Sequence, residues 1–572
     1  MLDLILRDGW VVDGTGAPGR RANVGVKGGR LVAIGDVDDS ATRTVDCHGL
    51  VVAPGFVDPH THYDPQIMWD PAVTPSSLHG VTTVIGGNCG FTIAPMEPPH
   101  EEYLIPMLAR VEGMPVDALW AGLDLDWKSF GSWLDRLDDN VAVNAGFLCG
   151  HSTIRRLVMG DAAVGEHATP EHLEAMTRLL HESLSEGALG FSSSLGQAHS
   201  DHQGNPVPSR HAAREEFLEL CSALKDHDGT WIEFIPSIER LFTDYEIDLM
   251  ADMSAAAGGR VLNWNLMGVR PGSDEEDSRL NKLGASDRAR ERGGNVVALT
   301  LPEPMTMRLS FQTGFLYDSL PDWREVMHAP DAQKLKMLAD PSVRRMMIEG
   351  AQAFGYRSYT DWASSRVADV VNPALKHLEG RTFGSIASER RVDPFDALCE
   401  VIVEDRLQTG IEPDLQGDDE DSWHERVELF RDPRVLVGGS DAGAHVDMMK
   451  TFGCLTHFLG EYVRDRGYVS LEEGVHLITD APARLFGLRD RGRLEEGYFA
   501  DVCVFEAERI NRGPIHMVRD LPSGAERLTA EADGVQHVFV NGVEIAHDGA
   551  LTGATPGTVF RSGRDTETVL ED

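Results

Sequence analysis

Eight short apolar runs, each closing near a turn and followed by a longer helical pattern, recur through the middle of the chain. They are the run leading into His60, then "VTTVIGG", "VAVNAGFLCG", "GALGFSSSL", "GTWIEFIP", "GRVLNWNLMG", "NVVALTLP" and "VLVGGSD". A strand followed by a helix returns the chain to the same end of a sheet, so repeats of that unit pair in parallel. Eight of them predict an α/β protein built on a (β/α)8 TIM barrel, with its chemistry at the C-terminal ends of the strands. The stretch 309–422 is longer than one crossover needs. It is expected to be a helical insertion ending in an exposed loop, with the acidic "DLQGDDEDS" as solvated surface.

The ends of the chain have another texture. "LILRDGWVVDGTG", "ANVGVKGGRLVAIGD", "GRLEEGYFADVCVFEAERI" and "GVQHVFVNGVEIAHDGAL" read as short strands separated by turns. Residues 1–53 and 490–560 are therefore expected to form one small β-sandwich, leaving 54–489 to the barrel. The 572 residues allow a large core, and a formal charge of −40 repels nucleic acid and anionic membrane. No basic segment followed by an apolar stretch opens the chain, and no apolar run is long enough to span a bilayer. The expectation is a cytoplasmic protein with a small-molecule partner, acting as a homo-oligomer. The seven cysteines are scattered and never spaced CxxC, which argues against a disulfide framework or a structural zinc module.

"PGFVDPHTHYD" carries the chemistry. Residues i and i+2 of a strand point to one side, so His60 and His62 can reach one ion. Asp441 ends the apolar run of "VLVGGSD", where a carboxylate is costly without a cation or a proton.

"VVAPGFVDPHTH", "GGSDAGAH", "ITDAPARLFGL" and "GRLEEGYFADVCVF" together resemble the amidohydrolase superfamily, nearly end to end. "GGNCGFTIAP", "GHSTIRRLVMG" and "EGALGFSSSL" resemble its D-aminoacylase-like branch more narrowly. The resemblance implies a one- or two-metal barrel site with His60, His62 and Asp441 as ligands. It puts Cys89 either at a metal-bridging thiolate position or, as a lone cysteine, in the core.

Two positions depart from the deacylase pattern, which places histidines at the ends of strands five and six. Here Glu233 stands at the first, and Asn265 or Asn263 at the second. A buried Glu among Trp231, Ile232, Phe234 and Ile235 needs a metal, a proton or a partner. Two histidines with carboxylates and open positions suit nonheme iron. Through "HTHYDPQIMWDP", "GNCGFTIAP" and "HSDHQGNPVPSR" the chain also resembles the divergent TIM-barrel nonheme di-iron monooxygenase of platensimycin and platencin biosynthesis. The expectation drawn from this is a di-iron monooxygenase hydroxylating a bulky apolar, CoA-linked or terpenoid substrate. It would use dioxygen and an electron donor, with Asp441 and Glu233 as catalytic residues. The alternative is a zinc-dependent N-acyl-D-amino-acid deacylase. His151, Asn265, His199, His202 and His445 are candidate further ligands or their partners. Arg155 and Arg210 are candidates for a substrate carboxylate or phosphate, since Arg binds either in bidentate fashion.

Overall fold

The computed structural model describes residues 1–37, 40–237, 239–269, 275–353, 358–414 and 417–570. The chain divides into two compact units. One comprises Met1–Glu303, Asp419–Val446 and Thr451–Asp572, the other Pro304–Asp418 and Asp447–Lys450.

The first unit is mixed α/β. Its central strands lie in two parallel arcs, one of Phe56–Asp58, Val81–Gly86 and Asn144–Phe147. The other runs Cys149–Gly150, Gly190–Ser194, Trp231–Ile235, Val261–Met267, Asn295–Thr300 and Val435–Val437. Hydrogen bonds from Leu148 N to Gly86 O and from Leu189 N to Phe147 O carry one arc into the next. At the far edges, a parallel bridge pairs Thr61 with Ala442. The strands read as near-continuous apolar runs because parallel strands are covered on both faces. Trp231–Ile235 and Asn295–Thr300, for example, are buried throughout. Both arcs feed one apolar cluster of Val57, Ile85, Leu148, Leu189, Trp231, Val261, Val297, Leu299 and Leu436, joined by Phe486, Leu488 and Phe560.

The two termini build one mixed nine-stranded hydrogen-bonded sheet. Val51–Pro54 from the N-terminal part pairs antiparallel with Val502–Phe505 from the C-terminal part. The strand Leu2–Val11 contributes to two apolar clusters. Leu4 and Leu6 pack with Val24, Val52 and Val504, while Leu2 and Ile5 join Val37. The chain then continues past the expected boundary at 560. Phe560 N donates to Ala145 O at 2.7 Å and Gly557 N to Val141 O at 2.8 Å. A Cβ on Gly557 would sit 2.0 Å from Val143 O, so only glycine permits that approach.

The second unit is helical around Trp323, Phe311, Tyr317, Phe383 and Phe395. It holds the helices Asp331–Ala339, Pro341–Ala353, Phe383–Arg390 and Pro394–Glu404 and the antiparallel pair Arg366–Asp369 and Gly410–Glu412. The acidic run is not simply an exposed loop. Leu415 and Gln416 lie outside the described residues, but Asp419 caps the helix Glu420–Phe430, its carboxylate accepting from Ser422 N at 3.0 Å. Acidic groups are favoured there by the unsatisfied N–H groups of the first turn.

Phe560 is fully buried in the shared cluster. Replacing it by Ala is expected to cost about 3–5 kcal/mol, measured by denaturant unfolding. His79 is also fully buried, Nε2–H donating to Ala530 O and Nδ1 facing Thr456 Oγ1 at 2.7 Å. Burial pushes its pKa down to about 4. The unfolded chain binds a proton there near pH 6.5 and the folded chain does not. This stabilising contribution is therefore complete above pH 6.5 and is lost as pH falls towards 4. The stability gap between wild type and His79→Gln is expected to narrow over that window, and a constant gap would contradict the assignment.

Candidate metal centre

His60 and His62 follow directly on the strand Phe56–Asp58, in extended chain held on both sides. Thr61 N donates to Ile85 O at 2.9 Å and His62 N to Ala442 O at 2.8 Å. The alternation brings both rings to one side, with centroids 5.3 Å apart.

Cys89 arrives from the turn after Val81–Gly86. Gly87 adopts φ +74°, and a Cβ there would lie 2.3 Å from Leu148 O. Asn88 Nδ2 fixes the turn by donating to Thr61 O and Ile85 O, each at 3.0 Å. Asp441 follows Val435–Val437 and is positioned by its neighbour. Ser440 Oγ donates to Asp58 Oδ2 at 2.5 Å and accepts from Ala442 N at 3.0 Å.

The four donors converge. Cys89 Sγ lies 3.6 Å from His60 Nε2 and 3.8 Å from His62 Nε2. Asp441 Oδ1 lies 3.2 Å and 3.6 Å from the same nitrogens. His60, His62 and Cys89 are buried, while the Asp441 side chain retains 20% exposure.

Glu233 is not among the converging atoms. Its Oε2 accepts from Cys89 N at 2.7 Å, and Oε1 faces His60 Nδ1 at 3.8 Å, on the side of the ring away from the other donors. The strand thus brings Glu233, expected as a ligand, behind His60. A second carboxylate, Glu112, does the same for His62, with Oε2 3.4 Å from Nδ1. Glu112 gave no sequence signal, because it reaches the centre from the end of the helix Glu101–Val111, outside any motif. Asp64, two residues past His62, is also buried and accepts from Gly87 N at 3.1 Å.

These groups crowd negative charge into the interior. Burial pushes Glu112 up to about 7, Asp64 up to about 6, and Glu233 far above the usual carboxylate range. Burial, then the charges of Glu233, Glu112 and Asp441, raise the Cys89 thiol. Asp441 is the exception: although burial opposes its charge, contact with His60 and His62 holds it well below the usual range. His62 is pushed up to about 9, burial opposing and Glu112 and Asp441 favouring its charge. Among the described residues, none of the four carboxylates makes an ion pair with Lys or Arg. His60 Nδ1, Glu233 Oε1 and Asp441 Oδ1 make no hydrogen bond. Two imidazoles, one thiol and one carboxylate facing inward, with surplus buried acid behind them, fit a divalent cation.

The other expected site residues separate. Asn265 Nδ2 lies 3.4 Å from His60 Nε2 and borders the centre. His199 bonds Ser194 Oγ at 2.7 Å and packs on Phe91, which follows Cys89 by two residues. His445 N donates to Glu112 O, and its ring feels the charges of Asp441 and His62. His202 packs on Tyr103. His151 is corrected from ligand candidate to wall residue, fixed between Ser193 Oγ and Glu216 Oε1 at 2.8 Å each. Arg155 is likewise corrected as a substrate contact. It is fully buried, and its guanidinium is committed to Pro208 O, Glu166 O and the Glu216 carboxylate. Arg210 is half-buried and donates to Gln197 O and His199 O.

Comparison with known proteins is consistent along the whole chain. A family model described as "Amidohydrolase family" matches residues 43–546. D-aminoacylase of Alcaligenes xylosoxydans xylosoxydans is 30% identical over 566 residues, covering 98% of this chain and 97% of its own. The crystal structure of a D-aminoacylase superposes with a TM-score of 0.65 at 26% identity, covering 98% of this chain and 100% of that one. N-acyl-D-glutamate deacylase from Bordetella bronchiseptica, solved with zinc and a phosphonate mimic of the tetrahedral intermediate, has TM-score 0.65 at 25% identity. That match covers 98% of this chain and 99% of the deacylase.

These similarities overturn the monooxygenase expectation. It rested on Glu233 and Asn265 standing where the deacylases place histidines, with Glu233 read as an iron ligand, whereas the inward donors include Cys89 and leave Glu233 behind His60. Iron and dioxygen find no support, and the electron donor and coenzyme A handle lose their basis with them. Among the described residues, no helix is long and apolar enough to cross a membrane.

All seven cysteines are free and buried. A chromogenic disulfide reagent is expected to find no fast-reacting thiol in the native protein and seven after denaturation. A fast native thiol would contradict this placement.

Proposed function

The chain belongs to the amidohydrolase family and to its D-aminoacylase-like branch, and from that premise we propose that it is a metal-dependent amide hydrolase that deacylates N-acyl-D-amino acids. The observation that carries the reading is the convergence of His60, His62, Cys89 and Asp441 on one point in a chain similar to D-aminoacylase over almost its full length. The two parallel arcs are read as one closed (β/α)8 barrel, with the terminal sheet and residues 304–418 as separate domains. The cluster fed by both arcs and the Thr61–Ala442 bridge support closure.

A divalent ion, zinc by the thiol and imidazole donors, would be held by His60, His62, Cys89 and Asp441. When bound, it supplies Lewis-acid polarisation and water activation. The protein's own groups do the rest. Asp441, partly open to solvent beside the two imidazoles, takes the proton of the attacking water and returns it to the leaving nitrogen. The acyl carbon gains the water oxygen as the C–N bond breaks, giving a carboxylic acid and a free D-amino acid. Glu233 and Glu112, facing Nδ1 of His60 and His62, orient the imidazoles. Arg210, which makes no ion pair among the described residues, is assigned the substrate carboxylate.

Chelation is expected to abolish hydrolysis of N-acetyl-D-amino acids and zinc to restore it, with N-acetyl-L-amino acids turned over poorly. Asp441→Asn is expected to lower kcat roughly 10²–10⁴-fold. Unchanged rates after metal removal, or equal rates on both enantiomers, would sink the proposal.

A further inference from the structure

The terminal sheet carries a second group of metal-ligating side chains, away from the centre described above. His537, on the strand Val535–Val540, lies directly opposite His547, on the antiparallel strand Val543–His547. On a regular ladder Glu544, three residues before His547, would project from the other face. The ladder is irregular here: Val538 pairs with Ala546, but Phe539 pairs with Glu544, leaving Ile545 as the extra residue of a bulge. That residue turns Glu544 onto the face of the two histidines.

The three side chains meet closely. Glu544 Oε1 lies 2.7 Å from His537 Nδ1 and 3.5 Å from His547 Nδ1. The rings are 4.5 Å apart, and one ligand atom from each of the three residues lies within 4.8 Å of the others. Each donor is also held from behind. Arg43 lies 2.6 Å from Glu544 Oε2, Asp548 Oδ2 lies 2.9 Å from His547 Nε2, and His537 stacks on Phe539 with 29° between the rings. A carboxylate on the far nitrogen of an imidazole fixes its tautomer and raises its basicity as a ligand. His547 remains 46% exposed, so an ion can enter from solvent. A formal charge of −40 raises the local cation concentration.

We propose that His537, Glu544 and His547 form a second divalent-metal site, of the zinc class, which clips the hairpin of Val535–Val540 and Val543–His547 in the terminal sheet. Two imidazoles and a carboxylate leave a fourth position for water, as zinc accepts. The site does not depend on the hydrolase reading. Its ion would bind the folded hairpin and not the unfolded chain, so it stabilises the fold by mass action.

Equilibrium dialysis of the full-length protein against zinc, read by elemental analysis, tests this. Wild type is expected to hold one zinc per chain more than His547→Ala or Glu544→Gln, and zinc to raise the thermal midpoint of wild type only. His547→Cys, which returns a thiolate ligand, is expected to regain the extra zinc. Because His547 is exposed, its replacement leaves the core of the sheet intact. Equal zinc content in wild type and both variants, or an equal zinc-induced shift in midpoint, would overturn the proposal.

Discussion

Buried negative charge is the constraint on which the centre depends. Asp441, Glu112, Glu233 and Asp64 lie within a few residues' reach of two imidazoles and a thiol, and their recorded partners are imidazoles and backbone N–H groups. An unpaired buried carboxylate is costly enough that proteins neutralise it by protonation or by a cation. Burial drives the Glu112 and Glu233 carboxyls upward, whereas contact with His60 and His62 holds Asp441 down. One divalent ion on the inward donors would relieve this set at a single point.

The surrounding fold serves to keep those donors in register. Asp58 and Ser440 join the strand before His60 to the strand before Asp441 by a short buried hydrogen bond. The same Ser440 hydroxyl receives Ala442 N, so Asp441 is held between two fixed neighbours at φ +55°. A residue in that region of backbone space is strained and persists only where its surroundings over-determine it. The register pair Thr61–Ala442 then sets His62 against the same segment. Small shifts between these two strands would separate Asp441 from both imidazoles at once.

Part of this was legible in the sequence. His60 and His62 sit two apart at the end of an apolar run, and Asp441 ends another, so period-two geometry and the cost of buried charge pointed to them directly. Strand patterning gave the parallel arcs and the terminal sheet for the same reason, since burial on one or two faces writes itself into alternation. Glu112 was illegible because its approach depends on the packing of a helix end, which no local pattern encodes. Glu233 was half legible. Its burial could be inferred from its apolar neighbours, but whether its oxygens face Nε2 or Nδ1 of His60 is decided by the spacing between strands. His151 looked like a ligand because it ends a strand, yet its bonds to Ser193 and Glu216 fix it in the wall.

Glu233 shows how a changed residue can keep a role in the same centre. At this position its carboxylate reaches two things at once: the N–H of Cys89 and the rear nitrogen of His60. The first bond holds the Gly87–Gly90 turn that presents the thiol, while Oε1 lies 3.8 Å behind the ring that faces it. A histidine there could approach an ion directly, but it would offer no carboxyl oxygen to the N–H of Cys89. The glutamate exchanges direct ligation for control of two neighbouring donors, Cys89 and His60. It also adds a buried carboxyl that burial pushes far above the usual carboxylate range. Altered chemistry at the strand end is thus compatible with a retained metal centre, because the inward donors are shaped by what lies behind them.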